Sequence, residues 1–272
     1  MIYLSSFKVS EHRTTNPNLY PYKVFRNKSI YPFVFAPITI FYGNNGSGKS
    51  TLLNLIAHKI KARGYAEFVT AKFSMEEFVS ECVIDYGEDD YGRKLQIPQN
   101  SLYMKSEDIL YEIKKVEQES ILENGYVYDE MRLHNITKEA AINKLHSSVV
   151  KGGPSRLACI LFNQEKYSNG ETAMQILEEC LIPDNLYLLD EPEVSLSPAN
   201  QVKLAEEINM MARFLNCQFI IATHSPFMLG TLNAKIYNID DECMDEARWQ
   251  DLENVRYFYE FFKKHEAEFY GF

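Results

Sequence analysis

The sequence lacks the features of secreted and membrane-spanning proteins. Its five cysteines are scattered and form no C-x-x-C pair, which is typical of reduced thiols in a cytosolic protein. Polar residues at positions 5, 6, 8 and 10 interrupt the N-terminus before the apolar region of a signal peptide could form. No apolar run approaches the roughly 20 residues of a membrane helix. We therefore expect a cytoplasmic protein without membrane insertion.

The sequence is also short of positive charge. Its 272 residues include 28 Lys and Arg against 38 Asp and Glu, which gives a net charge of −10. General nucleic-acid binding needs many cationic side chains on phosphates, so this balance argues against it. A local basic groove is compatible with the composition because charges can segregate, and direct DNA binding stays an open question. The length fits one large α/β domain or two small ones.

A glycine-rich segment is the most informative feature that is present. Residues 43–51 are Gly-Asn-Asn-Gly-Ser-Gly-Lys-Ser-Thr and match the phosphate-loop pattern G-x-x-x-x-G-K-[ST]. The apolar run 37–42 before the loop predicts a buried strand. Apolar residues at helical spacing over 52–60 predict a helix after it. A strand, a glycine-rich turn and a helix are the context in which this pattern binds a nucleoside triphosphate.

Each residue type in this loop has a chemical reason. Glycines let the backbone curl so that successive N–H groups point at phosphate oxygens, and the helix N-terminus adds its dipole. We expect Lys49 to reach the β- and γ-phosphates and the Ser50 hydroxyl to hold Mg²⁺. The predicted nucleotide-binding residues of the loop are Gly43, Asn44, Asn45, Gly46, Ser47, Gly48, Lys49, Ser50 and Thr51.

Two later apolar runs end in polar side chains. Residues 185–189 precede Asp190 and Glu191, and residues 218–223 precede His224. Strands that are apolar throughout, joined by a helix, predict a parallel sheet, and sites collect at the carboxyl ends of such strands. An Asp at a strand end beside a phosphate loop is where the Mg²⁺ partner belongs. The side chains expected to converge are Lys49, Asp190, Glu191 and His224.

The rest of the chain divides by pattern. Strand-like runs near the N-terminus predict a small antiparallel β layer, and amphipathic patterns over 105–123 and 137–150 predict a helical insert. An aromatic helix at the C-terminus either packs on the body or binds a partner. We expect a single domain, in which 1–42 form the β layer, 43–99 and 172–250 the core, about 100–171 the helical subdomain, and 251–272 the C-terminal helix.

Taken in order, these motifs resemble the ABC-type ATPase superfamily. To the phosphate loop and the two strand ends the chain adds a Ser-x-Gly signature at 168–170 and a Ser-Leu-Ser-Pro loop at 195–198. Within the superfamily, the segment 188–198 is similar to small stand-alone bacterial ATP-binding proteins of the AAA, RecF and SMC-like branch rather than to transporter subunits. The absence of an N-K-x-D motif disfavours a GTPase.

The resemblance implies a fold and a set of roles. The fold is an α/β P-loop NTPase of the ABC-ATPase type, with a parallel-sheet core, an N-terminal antiparallel β layer and a helical insert. Asp190 would hold Mg²⁺, Glu191 would act as general base, and His224 would sense the γ-phosphate. Ser168 and Gly170 would contact the nucleotide of a second protomer, so that two chains enclose two ATP molecules in an ATP-dependent homodimer.

Two departures from the family pattern bear on these roles. The signature has Tyr167, Asn169 and Glu171 where transporters usually have Leu, Gly and Gln. The glutamine loop is poorly marked, and Gln99 and Glu107 are its two candidates. The signature contact across a dimer is therefore an expectation from resemblance alone.

The first functional hypothesis is Mg-dependent ATP binding and hydrolysis that drives dimerisation and switches an unknown partner or process, such as DNA repair or phage defence. The alternative is a non-enzymatic, ATP-gated adaptor for a nuclease or toxin effector that is encoded nearby. An ATP-binding subunit of an ABC transporter is less favoured, because the glutamine loop is obscure and the signature is atypical.

Overall fold

The computed structural model describes residues 1–12, 18–65, 72–108, 137 and 169–270. Two compact units divide the chain. The first contains Met1–Ser106, Ile182–Val194 and Gln201–Phe272, and the second contains Glu107–Leu181 and Ser195–Asn200. The strands below all belong to the first unit.

A five-stranded parallel sheet forms the centre of the first unit. Its strand order is β5-β6-β7-β3-β8, and every neighbouring pair is parallel. All residues of β3, β6 and β7 are buried, as expected for strands covered on both faces. The parallel core predicted from the apolar runs is confirmed. The strands are β3 (Ile38–Tyr42), β5 (Leu102–Lys105), β6 (Leu186–Asp190), β7 (Gln218–Ala222) and β8 (Lys235–Asn238).

A smaller antiparallel sheet confirms the predicted β layer and corrects its composition. It consists of β1 (Leu4–Lys8), β2 (Phe33–Val34) and β4 (Val83–Tyr86), in the order β2-β1-β4. The third strand therefore comes from beyond the phosphate loop. In the other direction, β3 falls within the range 1–42 that the sequence assigned to this layer, but it pairs in the parallel sheet.

The described helices agree with the sequence patterns near the predicted site. The helices predicted after the phosphate loop, between the two later apolar runs and at the C-terminus are confirmed. The described helices are α1 (Tyr22–Phe25), α2 (Lys49–Ile60), α3 (Lys72–Glu81), α4 (Asn169–Cys180), α5 (Pro198–Phe214), α6 (Pro226–Thr231), α7 (Glu253–Lys264) and α8 (Glu266–Tyr270), with a 3₁₀ turn at Trp249–Asp251.

The range predicted as a helical subdomain begins with a strand. β5 lies inside the predicted range of about 100–171, and it pairs with β6 in the parallel sheet. The sequence missed it because four residues of mixed polarity show no clear period. The run 66–70 also predicts a strand. This run and most of the helical patterns at 105–123 and 137–150 fall outside the described residues.

One glutamine joins the two sheets. Gln218 is fully buried at the start of β7. Its side-chain oxygen accepts hydrogen bonds from the backbone N–H groups of Tyr3 and Leu4, at 2.8 and 2.9 Å. Its amide nitrogen donates to the carbonyl oxygens of Leu4 and Ala36, at 2.8 and 3.4 Å. The side chain thus pairs with four backbone groups, three of them in fully buried hydrogen bonds.

Two expectations about compartment can be compared with the described residues. The described cysteines, at 82, 180, 217 and 243, are free thiols. None of the described helices has the length and apolar character needed to cross a bilayer.

The Gln218 contacts predict a large effect on stability. Gln218→Leu keeps the volume but leaves buried N–H and C=O groups unpaired, so we expect the free energy of unfolding to fall by about 2–4 kcal/mol. Urea denaturation followed by circular dichroism measures it. The control Gln250→Leu, at an exposed position, should change stability by less than about 0.5 kcal/mol. Equal effects of the two substitutions would contradict the proposed bridging role.

Candidate functional site

The phosphate loop connects β3 to α2. Its residue Gly48 occupies the cap position of α2 with φ of +105°, and Gly46 has φ of +84°. Such left-handed backbone favours glycine because side chains clash there. Ser47 N–H donates to the Asn44 carbonyl at 3.1 Å and closes the turn. The loop therefore has the curled backbone that its sequence predicted.

The segment that follows β8 supports this loop. Both carboxylate oxygens of Asp240 accept a hydrogen bond from the Asn44 N–H at 2.9 Å. The ammonium of Lys28 donates to the carbonyl oxygens of residues 239, 240 and 241, at 2.6, 3.1 and 3.3 Å. The sequence did not identify either residue, because no local motif marks a contact across some 200 positions. Asp240 thus supports the loop directly, and Lys28 supports the segment that carries Asp240.

Lys49 directs its charge into the loop. Its side chain is only 4% exposed. The ammonium donates to the carbonyl oxygens of Gly43 and Asn44, at 2.7 and 3.2 Å. It also lies 3.8 Å from the carboxylate of Glu191. A buried cation with these partners lies within reach of an anion bound in the loop.

Asp190 is a buried acid at the end of β6. One of its oxygens accepts a hydrogen bond from the Tyr103 hydroxyl at 3.3 Å. The other has no hydrogen-bond partner in the part of the chain that the structure describes. Burial raises the pKa of this carboxyl, and the nearby hydroxyls of Ser50 and Tyr103 oppose that shift. A buried carboxylate oxygen without a donor, next to a hydroxyl, fits a divalent cation held by Ser50 and Asp190.

Glu191 lies between a cation and an imidazole. Its carboxylate is 3.8 Å from the Lys49 ammonium and 3.6 Å from Nδ1 of His224. About one quarter of its side chain is exposed (26%), so solvent reaches the carboxylate. The residue has φ of +52°, and its N–H donates to the Ala222 carbonyl at 2.8 Å. Strained backbone of this kind concentrates at functional sites.

A further acid lies behind His224. Glu193 is 6% exposed and accepts hydrogen bonds from the Thr223 hydroxyl and, at 3.3 Å, from the His224 N–H. Burial raises the pKa of its carboxyl, and the Thr223 hydrogen bond opposes that shift. Sequence reasoning missed both Glu193 and Thr223. An acid directly after Glu191-Pro192 in an otherwise apolar stretch was the available signal.

The predicted residues have different outcomes. Lys49, Glu191 and His224 lie together at the carboxyl ends of the parallel strands, with Asp190 beside Ser50. Ser168 lies outside the described residues, and Gly170 belongs to α4 in the second unit.

The glutamine-loop candidates are also separated by the fold. Gln99 precedes β5, whose last residue Lys105 pairs with Asp190, so Gln99 lies at the sheet edge opposite the site. Glu107 follows β5 in the chain. The position of Gln99 thus argues against its assignment as the glutamine loop.

Comparison with known families agrees with this geometry. A family model described as "ABC transporter" matches residues 36–194, which is more than half of the chain. The chain belongs to the ABC-type ATPase family. A second model, described as an AAA domain, matches residues 160–230 of this ABC-type ATPase, and its description mentions the AbiEii toxin and a Type IV TA system. The predicted resemblance to the ABC-type ATPase superfamily is confirmed.

Solved structures similar to this ABC-type ATPase are remote in sequence. A nucleotide-free ATP-binding cassette from an ABC transporter is 13% identical, with 94% of each chain covered and a TM-score of 0.43. The SMC head domain from Thermotoga maritima is 12% identical, covering 89% of this chain and 97% of that one, with a TM-score of 0.42. The Smc head domain bound to the C-terminal domain of ScpA from Pyrococcus furiosus is 12% identical, covering 89% and 95%, with a TM-score of 0.41.

No curated protein matches the sequence of this ABC-type ATPase. The family assignment rests on the family model that matches residues 36–194.

The two phosphate-loop glycines with positive φ, Gly46 and Gly48, predict unequal losses of stability on substitution by alanine. Gly46→Ala meets open space and should lower the free energy of unfolding by about 1–2 kcal/mol, because of its φ alone. Gly48→Ala adds a Cβ 2.5 Å from Cγ1 of Val24 and should lower it further. Urea denaturation compares the two. If Val24→Ala recovers part of the stability that Gly48→Ala loses, the contact with Val24 is confirmed. Equal losses of stability in Gly46→Ala and Gly48→Ala would contradict it.

Proposed function

We propose that this protein binds MgATP and hydrolyses it at the carboxyl ends of β3, β6 and β7. One observation carries the proposal: the Glu191 carboxylate lies 3.8 Å from the ammonium of Lys49 and 3.6 Å from the imidazole of His224. The family assignment supports it, since ABC-type ATPases bind and hydrolyse ATP.

Binding would use the loop and the two strand-end residues nearest to it. Lys49 would exchange its bonds to the loop carbonyls for bonds to the β- and γ-phosphates, and the curled backbone would present N–H groups to their oxygens. Ser50 and Asp190 would hold Mg²⁺, which neutralises charge on the phosphates. The unpartnered oxygen of Asp190 is the feature that favours this assignment.

Hydrolysis would use the residues that directly follow β6 and β7, together with Lys49. The partly exposed carboxylate of Glu191 would accept the proton of the attacking water. His224 would contact the γ-phosphate from the end of β7. Lys49, next to Glu191, would stabilise the negative charge that develops on the phosphoryl oxygens.

The proposed assembly is an ATP-dependent homodimer in which two chains enclose two nucleotides. Ser168 and Gly170 of each chain would contact the nucleotide of the other, as the resemblance implies. Dimerisation would switch an unknown partner or process, with DNA repair and phage defence both compatible with such an engine.

The proposal predicts a separation of binding from hydrolysis. Glu191→Gln should lower kcat by about 10²–10⁴-fold, since it removes the general base, and should leave ATP binding intact. Lys49→Ala should instead abolish tight ATP binding. Phosphate release and a fluorescent nucleotide titration measure the two effects. The control Glu242→Gln changes an exposed acid outside the site and should keep both properties.

The same variant tests the dimer. With saturating MgATP, Glu191→Gln should elute as a dimer in size-exclusion chromatography, because the bound nucleotide is not consumed. Lys49→Ala should stay monomeric under the same conditions. If Glu191→Gln binds ATP and is still monomeric, the two-chain arrangement is wrong while the hydrolysis scheme is untouched.

A second candidate function is the ATP-gated adaptor. Large aromatic side chains between 249 and 270 are 41–70% exposed; this C-terminal aromatic surface consists of Trp249, Tyr257, Phe258, Tyr259, Phe261, Phe262, Phe269 and Tyr270. Such exposure favours partner binding over packing on the body, the two alternatives left open by the sequence. The toxin and TA system named for the AAA family model suggest a toxin effector encoded nearby as the partner.

The adaptor hypothesis predicts a loss of complex without loss of ATP binding. The double variant Tyr257→Ser and Phe261→Ser removes two rings that are 69% and 50% exposed. It should reduce co-purification of the product of the adjacent gene about tenfold or more. The control Tyr91→Ser alters a ring that is 84% exposed in another part of the chain. Unchanged co-purification in the double variant would remove the aromatic surface as the effector site.

A further inference from the structure

Glu193 is an acidic residue beside His224 that the hydrolysis scheme does not use. Its exposure is 6%, against 26% for the side chain of Glu191, so it is closed to a bound nucleotide. One of its carboxylate oxygens has no hydrogen-bond partner among the described residues. Burying an acid is costly unless its contacts compensate. The contacts of Glu193 must therefore offset the cost of burying its carboxylate.

The contacts of Glu193 converge on the turn that follows β7. Its Oε1 accepts from the Thr223 hydroxyl and from the His224 N–H, and it lies 3.9 Å from Nδ1 of His224. The Thr223 oxygen in turn accepts from the Ser225 N–H at 3.0 Å. Thr223 and His224 therefore hydrogen-bond directly to the Glu193 carboxylate, and Ser225 is connected to it through the Thr223 hydroxyl.

The far side of the turn is tied as well. The Ser225 hydroxyl accepts from the N–H groups of Phe227 and Met228, both at 3.2 Å, and so caps α6. It also donates to the side-chain oxygen of Gln201 at 2.6 Å. His224 is thus the middle residue of a turn whose two neighbours are both fixed by side-chain hydrogen bonds.

The ring of His224 has weaker support than its backbone. It is 43% exposed, and its Nδ1 makes only the longer contacts of 3.6 and 3.9 Å to Glu191 and Glu193. No described residue gives Nδ1 a hydrogen bond. The direction of the ring therefore depends on how well the backbone of the turn is held.

We propose that Glu193 is a positioning residue that holds the turn carrying His224, and that it acts on ATP hydrolysis only through His224. This inference rests on the proposed function. A displacement of about 1 Å at a reacting centre can cost about 10²-fold in rate. The burial of Glu193 and its two hydrogen bonds distinguish it from Glu191, whose carboxylate faces Lys49.

The first test separates kcat from KM. Glu193→Ala should lower kcat by about 10- to 100-fold and change the KM for ATP less than about threefold. Glu193→Gln keeps an oxygen that accepts from Thr223 and from the His224 N–H, so it should retain most of kcat. If Glu193→Gln is as slow as Glu193→Ala, the hydrogen-bonded position is not what matters and the proposal is wrong.

The second test asks whether the effect passes through His224. In a His224→Ala background, Glu193→Ala should lower kcat by less than about threefold, because the group that it positions is already absent. A further tenfold loss in that background would show that Glu193 acts independently, which overturns the proposal.

The third test does not depend on hydrolysis. Amide hydrogen exchange by NMR should show the His224 N–H exchanging about tenfold faster in Glu193→Ala than in wild type, and unchanged in Glu193→Gln. Thr223→Val, which removes the hydroxyl between Glu193 and Ser225, should speed exchange at Ser225 and serves if Glu193→Ala does not fold. Unchanged exchange in these variants overturns the proposal. If the wild-type protein has no ATPase activity, the proposed function is refuted. The exchange rates would still show whether Glu193 holds the turn that carries His224.

Discussion

The parallel pairing of β6, β7 and β3 sets the distances on which the candidate site depends. Asp190 and Phe41 both pair with Ala222, so the three strands end at the same level of the sheet. The Glu191 N–H continues this ladder one residue further, to the Ala222 carbonyl. Because each of these strands is buried along its whole length, a slip in register would move an apolar residue out of the core at one end and a polar flanking residue into it at the other. The requirements of packing therefore also fix the positions of the polar groups that follow each strand.

Charge is unevenly distributed at this edge of the sheet. Glu191 lies near the ammonium of Lys49 and the imidazole of His224, Glu193 lies near the same imidazole, and Asp190 has Lys105 as its cationic neighbour. Burial raises the pKa values of Asp190 and Glu193 even though hydrogen bonds and cationic neighbours oppose the shift. A triphosphate alone would add further negative charge. The arrangement is therefore better matched to a nucleotide that arrives with a divalent cation than to a free anion.

The sequence predicted those parts of the site whose signal is local. Lys49 lies in a contiguous motif, and Glu191 and His224 each follow an apolar run long enough to identify a buried strand. Asp240 and Glu193 escaped prediction because their partners, Asn44 and Thr223, lie 196 and 30 residues away in the chain. β5 escaped because its four residues show no period, although pairing with β6 completes the sheet. Tertiary contacts, rather than propensity, decide each of these cases.

Two neighbouring acids show how stability and function conflict at this site. A carboxyl whose pKa is raised on folding binds its proton more tightly in the folded than in the unfolded state, so Glu193 makes folding less favourable once the pH exceeds its unfolded pKa. Glu191 adds a left-handed backbone conformation that a glycine would adopt more easily. A sequence shaped by folding alone would place a neutral side chain at position 193 and glycine at position 191. The pairing of both acids with His224 gives a physical reason to keep them: one holds the turn that carries the imidazole, and the other presents its carboxylate beside it.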